Sequence, residues 1–241
     1  MAVETLQTLE FLAPYTASSA VRLLEVGCGR GELAMLLSPR VKMTAIDRSE
    51  SAILAAMQIG VEAHLVDFFD FPEEQFDVVL FTRSLHHISP LGEAVAKAAR
   101  MVAPGGRLII EDFAAEKADQ ATVEWYFRTR DELISSGLSS PQSCMHHQID
   151  ESTEPLNWWR QHHFGKHHVA TSEEMRAVIG EHFEIEKESF VPYMYRYLVA
   201  GLLSGVDASE IEWAVYGNEA ELCELGEICR IGYRLVATKK A

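Results

Sequence analysis

A chain of 241 residues, 48% hydrophobic and 24% charged, is long enough to bury a core without metal or disulfide staples. Its 21 Lys and Arg against 36 Asp and Glu leave a formal net charge of −15, which argues against a grip on DNA, RNA or an anionic membrane. No stretch approaches the roughly 20 apolar residues that cross a bilayer. Four scattered cysteines, Cys28, Cys144, Cys223 and Cys229, form no CxxC pair and read as free thiols. The acidic opening MAVETLQTLEFLAP lacks the basic and apolar regions of a secretory signal, so a cytoplasmic location is expected.

In chain order, Val21–Val26 reads as a first strand, followed by a glycine-rich turn and a helix beginning over Glu32–Leu37. Lys42–Asp47 is a second strand, Ser51–Gln58 a helix, and Glu62–Val66 a third strand that stops at Asp67. Phe76–Phe81 is an apolar fourth strand of the kind covered on both faces, and Leu91–Met101 a helix. Pro104-Gly105-Gly106 turns the chain into a fifth strand, Arg107–Glu111. This alternation predicts a parallel sheet wrapped by helices.

The second half is less regular. Ala118–Ile134 reads as a helix, Ser135–Pro155 as turn-rich, and Thr171 with Glu174 as a capping box opening another helix. Phe183–Phe190 and Ile231–Lys239 are two further strands, with helical stretches over Met194–Leu203 and Ile211–Tyr216 between them. The expected organisation is a single α/β domain over 1–241, with its core at 21–113 and insertions at 114–170 and 191–227.

The strongest local signal joins the first strand to its helix. Gly27, Gly29 and Gly31 let the backbone turn tightly and approach a ligand, while the helix start presents free N–H groups. The dinucleotide pattern would need a third glycine where Glu32 stands. Glu25 sits two residues ahead of the loop. Asp47 ends the second strand 18 residues after Gly29, placed for a ribose diol, and Asp67 follows the third with a carboxylate suited to an exocyclic amine. Three acids at successive strand ends line the sheet edge at which open α/β folds bind ligands, and they suit a cationic nucleoside better than a phosphorylated one.

Leu24-Glu25-Val26-Gly27-Cys28-Gly29-Arg30-Gly31 resembles motif I of the class I S-adenosylmethionine-dependent methyltransferases. Val66-Asp67-Phe68, Phe76-Asp77-Val78-Val79, the Pro104-Gly105-Gly106 turn and the closing Gly232–Ala237 segment are similar to later parts of that pattern. The resemblance implies a Rossmann-like sandwich with a mostly parallel seven-stranded sheet and helical insertions capping the substrate. It implies S-adenosyl-L-methionine as cofactor, held by Glu25, Gly27, Gly29, Gly31, Asp47, Arg48, Asp67, Phe68 and Thr82. Asp77 is expected to cap or pair structurally. Leu85-His86-His87-Ile88 is similar to small-molecule methyltransferases of the ubiquinone and menaquinone biosynthesis type.

Methyl transfer from a sulfonium depends mainly on positioning, and a general base helps an acidic acceptor. His86 and His87, just past the fourth strand, are the expected bases, and a small molecule accepting at O, N, S or C is the expected substrate. Among the aromatics and histidines of the insertions, Trp158, His163, His167 and Tyr193 are the expected acceptor contacts. Six of the ten histidines fall between 146 and 168, and His163 and His167 on one helical face would suit a transition metal, although no recognisable ligand set completes such a site. Two alternatives stay open: a non-catalytic cofactor-binding partner subunit, and a metal-dependent methyltransferase using this histidine cluster. The oligomeric state is not legible.

Overall fold

A computed structural model describes residues 2–140, 154–165, 169–203 and 207–240. Its strands are β1 (Arg22–Val26), β2 (Lys42–Asp47), β3 (Ala63–Leu65), β4 (Phe76–Thr82), β5 (Val102–Phe113), β6 (Phe183–Val191) and β7 (Gly232–Lys239). They form one seven-stranded sheet in the order β3-β2-β1-β4-β5-β7-β6. The pairs β1/β2, β2/β3, β1/β4 and β4/β5 are parallel. The order reverses between β1 and β4, the crevice at which doubly wound sheets take up ligands.

The helices are α1 (Val3–Leu12), α2 (Glu32–Leu37), α3 (Glu50–Gln58), α4 (Leu91–Met101), α5 (Gln120–Ser135), α6 (Pro155–Phe164), α7 (Ser172–His182), α8 (Tyr195–Val199) and α9 (Ala208–Leu225). The chain divides into two compact units. One comprises Gln7–Asp112, Ala170–Ser189 and Tyr233–Ala241, the other Met1–Leu6, Phe113–Val169 and Phe190–Gly232. The segments 114–170 and 191–227, expected as insertions, fall almost wholly in the second unit.

In the first unit, Leu23, Val78, Leu80, Ile109 and Val236 from the sheet are buried with Leu33 and Leu37 of α2. Asp77, the exposed residue of β4, accepts the Arg22 N–H at 2.8 Å and so ties β1 to β4, the structural role expected of it. A buried charge pair also holds this unit. Arg234 Nη2 donates to Glu111 Oε1 at 2.8 Å, and Thr8 Oγ1 donates to Glu111 Oε2 at 2.6 Å.

The second unit has its own core, in which Trp125, Tyr126, Trp159, Met194, Tyr195 and Ile231 are buried. Two acids of α9 work there as caps. Glu212 accepts the Val3 N–H, and Glu219 accepts the N–H groups of Tyr193, Met194 and Tyr195 at 2.7–2.9 Å. Both are buried, which hides the helical period of α9 from a hydrophobic pattern.

Several expected boundaries move for similar reasons. α9 is far longer than Ile211–Tyr216, and α8 is shorter than Met194–Leu203 because Leu202 leaves the helix to bridge Ser139. α6 opens at Pro155, the last residue of the stretch expected as turn-rich, with Glu154 as its cap. The Pro104–Gly106 turn lies within β5, whose pairing to β4 shifts register between Phe76 and Val78. The capping box at Thr171 and Glu174 is present as expected.

Candidate functional site

The first unit gathers its chemistry at the carboxyl ends of the parallel strands. Gly27 and Gly29 both hold left-handed backbone, at φ 77° and 55°. A Cβ on Gly27 would lie 2.5 Å from that of Ser84, whose Oγ donates to the Val26 carbonyl at 2.6 Å. A Cβ on Gly29 would meet nothing within 4 Å, so the space beside it is open. Gly27→Ala therefore combines a strained φ with a backbone-proximal clash, and should lower stability by about 2–4 kcal/mol in denaturant unfolding. Gly29→Ala, which meets only the strain, should cost about half as much.

Asp47 ends β2 and anchors this loop. Its Oδ2 accepts the Gly29 N–H at 2.9 Å and its Oδ1 the Ser49 N–H at 2.8 Å. Each oxygen keeps further lone-pair capacity. Asp67, beyond β3, accepts the Phe69 N–H at 2.9 Å through Oδ1, which leaves Oδ2 available. Lys97 holds the same loop by donating to the Phe69 and Phe71 carbonyls at 2.7 and 2.6 Å. Arg48 is exposed. The Phe68 ring is buried and meets Phe81 in a T-shaped contact, 5.4 Å between centroids.

Glu25 is the most unusual group of the site. It is 1% exposed, and Thr82 Oγ1 donates to its Oε1 at 2.8 Å. Its Oε2 is buried with no hydrogen-bond partner. Burial pushes the carboxyl up to about 7; the Thr82 hydroxyl and the Arg83 charge pull it down, while Asp47 and Glu111 push it further up. Thr82, expected as a cofactor ligand, donates its hydroxyl to Glu25. Arg83 adopts a left-handed φ of 54°, rare for its residue type. Cys28 is a packed thiol, and burial drives it up to about 12, with Glu25 and Asp47 adding to the effect.

After β4, a 3-10 turn over Leu85–His87 carries the two histidines. His86 is buried, and its Nδ1 lies 2.6 Å from Oδ1 of Asp112, itself fully buried. The His86 main-chain N–H also donates to Asp112 Oδ2 at 3.3 Å, so one carboxylate lies against both the ring and its backbone. His87 is exposed, its ring centroid 3.9 Å from that of His86. Asp112 was not among the expected residues. Its signal was the pair Glu111-Asp112 at the end of an otherwise apolar run.

Three of the expected acceptor contacts lie among the described residues of the second unit. Trp158, His163 and Tyr193 are all buried. His163 lies 4.1 Å from Trp159 and 5.6 Å from Phe113, which stacks on Tyr193 at 5.3 Å. Trp158 stacks on His162 at 4.9 Å. These rings fill a core between themselves. α6 ends at Phe164, with Gly165 as its C-cap. His146, His147, His167 and His168 lie outside the described residues, as does Cys144.

Residues 2–177 match a family model described as a methyltransferase domain. The chain belongs to the methyltransferase-domain family. Among curated relatives, this methyltransferase domain is 36% identical over 104 residues to 27-O-demethylrifamycin SV methyltransferase of Amycolatopsis mediterranei, covering 38% of each chain. It is 28% identical over 120 residues to the ubiquinone/menaquinone biosynthesis C-methyltransferase UbiE of Dinoroseobacter shibae, covering 44% of this chain and 46% of that one. The matches thus span only about two fifths to one half of these relatives.

Solved structures extend the likeness in fold to nearly the whole methyltransferase domain. The N-methyltransferase NodS of Bradyrhizobium japonicum WM9, in complex with S-adenosyl-L-homocysteine, has a TM-score of 0.54 at 18% identity, covering 99% of this chain and 86% of that one. The 4+2 cyclase SpnF has a TM-score of 0.57 at 19% identity, covering 98% and 81%. The sheet is the Rossmann-like class I arrangement expected from the resemblance, and the recognition of the family from its glycine loop and strand-end acids is correct.

Proposed function

We propose that this chain is an S-adenosylmethionine-dependent methyltransferase acting on a small-molecule acceptor. The observation that carries the proposal is Glu25, a buried acid with an unbonded oxygen beside an open glycine loop at the switch point of the sheet. A buried unpaired carboxylate oxygen is costly, and a cationic ligand relieves it. The available Asp67 Oδ2 suits an exocyclic amine, the spare capacity of Asp47 suits a ribose diol, and the open space beside Gly29 admits close backbone approach. The donor and acceptor set therefore fits S-adenosylmethionine.

When bound, that cofactor supplies a methyl group on an electrophilic sulfonium. The chain's own contribution is to hold it, orient the acceptor and take up a proton. Asp112 faces Nδ1 of His86, which favours the tautomer with a proton on Nδ1 and leaves Nε2 as the basic nitrogen. His86 is accordingly assigned as general base and Asp112 as the residue that positions it. His87, exposed beside it, is assigned no proton transfer. Trp158, His163 and Tyr193 are packed into a core, and no step is assigned to them. The free thiols of Cys28, Cys223 and Cys229 fit a reducing compartment, the cytoplasm.

Calorimetry should show one molecule of S-adenosylmethionine or S-adenosylhomocysteine bound per chain. A screen of phenolic, enolic, amine and thiol small molecules with methyl-labelled cofactor should then find transfer to one class. Absence of binding to both nucleosides would remove the assignment. Binding without transfer across the four classes would favour a cofactor-binding partner subunit.

A further inference from the structure

We propose that cofactor binding is coupled to the release of a proton from Glu25, so that affinity for S-adenosylmethionine weakens as the medium is acidified below neutrality. The inference rests on the proposed function and deepens it with a property of the same site. Its basis is the geometry around one side chain. Glu25 lies near the end of β1, is 1% exposed, and has one neutral donor, the Thr82 hydroxyl, on Oε1. Its Oε2 has none.

The charged groups that act on it come from β2, from β5 and from the residue after β4. β2 contributes Asp47 and β5 contributes Glu111, two further negative charges. Arg83, after β4, is the opposing cation, and it is exposed, so solvent screens it. Arg234 of β7 is committed to Glu111 at 2.8 Å. The Cys28 thiol in the loop is held neutral by its own burial. An ionised Glu25 is therefore a buried anion in the company of anions, and without a ligand the neutral carboxyl is the less costly form. Burial pushes it up to about 7, in line with that geometry.

A ligand bearing an α-ammonium and a sulfonium reverses the balance. Its positive charge favours the carboxylate, the bond from the carboxyl oxygen to its proton breaks, and the proton passes to solvent. The ligand thus selects the deprotonated form. Above the titration range of the free protein no proton is released and affinity is flat. Below it, each pH unit of acidification costs up to about tenfold in affinity, the slope of one linked proton. In the window below pH 7 the cofactor's α-amino group, with an ordinary value of about 7.7–8.0, stays charged and adds no proton of its own.

The test is calorimetric titration of the full chain with S-adenosylmethionine at about pH 6, in two buffers of different ionisation enthalpy. The expected result is close to one proton released per cofactor bound, falling toward zero near pH 7.5, with affinity improving several-fold over the same range. Glu25→Gln should remove the Glu25 share of the released proton and flatten the affinity profile. Thr82→Val, which removes the hydroxyl donor to Oε1, should move the release range to higher pH, and it serves if the glutamine variant binds too weakly to measure. Tight binding by the unmodified protein with no proton released at pH 6 would overturn the coupling alone. Absence of binding at every pH would overturn the cofactor assignment beneath it.

Discussion

Replacing Asp47 with alanine should weaken S-adenosylmethionine binding by at least about 100-fold in calorimetry. Two effects add. The carboxylate would accept hydrogen bonds from a ribose diol, each worth about 1.5–3 kcal/mol when the acceptor is charged. It also accepts the Gly29 and Ser49 N–H groups, so its removal frees the glycine loop and the turn after β2 at once. Two lost charge-assisted bonds amount to about 3–6 kcal/mol, and every 1.4 kcal/mol is roughly tenfold. Asp47→Asn keeps one acceptor oxygen and should lose only about 10–30-fold. An affinity within threefold of the original in the alanine variant would remove Asp47 from the site.

The second large effect concerns His86 and Asp112. With an acceptor in hand, His86→Ala should lower kcat by about 10²–10⁴-fold, the usual contribution of a positioned base. Cofactor affinity should stay within twofold, since none of the proposed cofactor contacts is removed. Asp112→Asn leaves the His86 ring in place and removes the charge that orients it, so a smaller loss of about 10–100-fold is expected, again in kcat and not in KM. The double variant should be no slower than His86→Ala alone, because two groups that act as a unit are not additive. Full turnover in His86→Ala would place the base elsewhere. Independent, multiplying losses would show that Asp112 acts by some route other than His86.

Much of the first unit could be read directly from residue order. The strands β2 and β4 and the helix α4 lie where period and composition put them, because buried parallel strands are near-continuous apolar runs with clear breaks. Glu25, Asp47 and Asp67 stood out for a related reason, as charged residues where such runs stop. The second unit was less legible because its acids and aromatics serve contacts remote in sequence. Glu219 looks like an exposed helical acid, yet it caps a turn 24–26 residues away. His163, an expected acceptor contact, has its ring against Trp159 and Phe113, contacts that its place in the sequence did not announce.

Glu111 and Asp112 mark the boundary between the two kinds of information. Residue order alone determined the βαβ succession, the glycine loop, the strand-end acids and membership of the methyltransferase-domain family, all of which depend on spacing along a few dozen residues. It placed two acids side by side in β5 without distinguishing them. Successive side chains of a strand point to opposite faces. Glu111 therefore meets Arg234, 123 residues away, while Asp112 meets His86, 26 residues back. Which acid is neutralised by a cation, which orients a histidine, and which, at Glu25, keeps an unbonded oxygen was decided only by tertiary structure. Burial and partnership set the cost of a charge, and both arise from chain segments that are neighbours only in the folded protein.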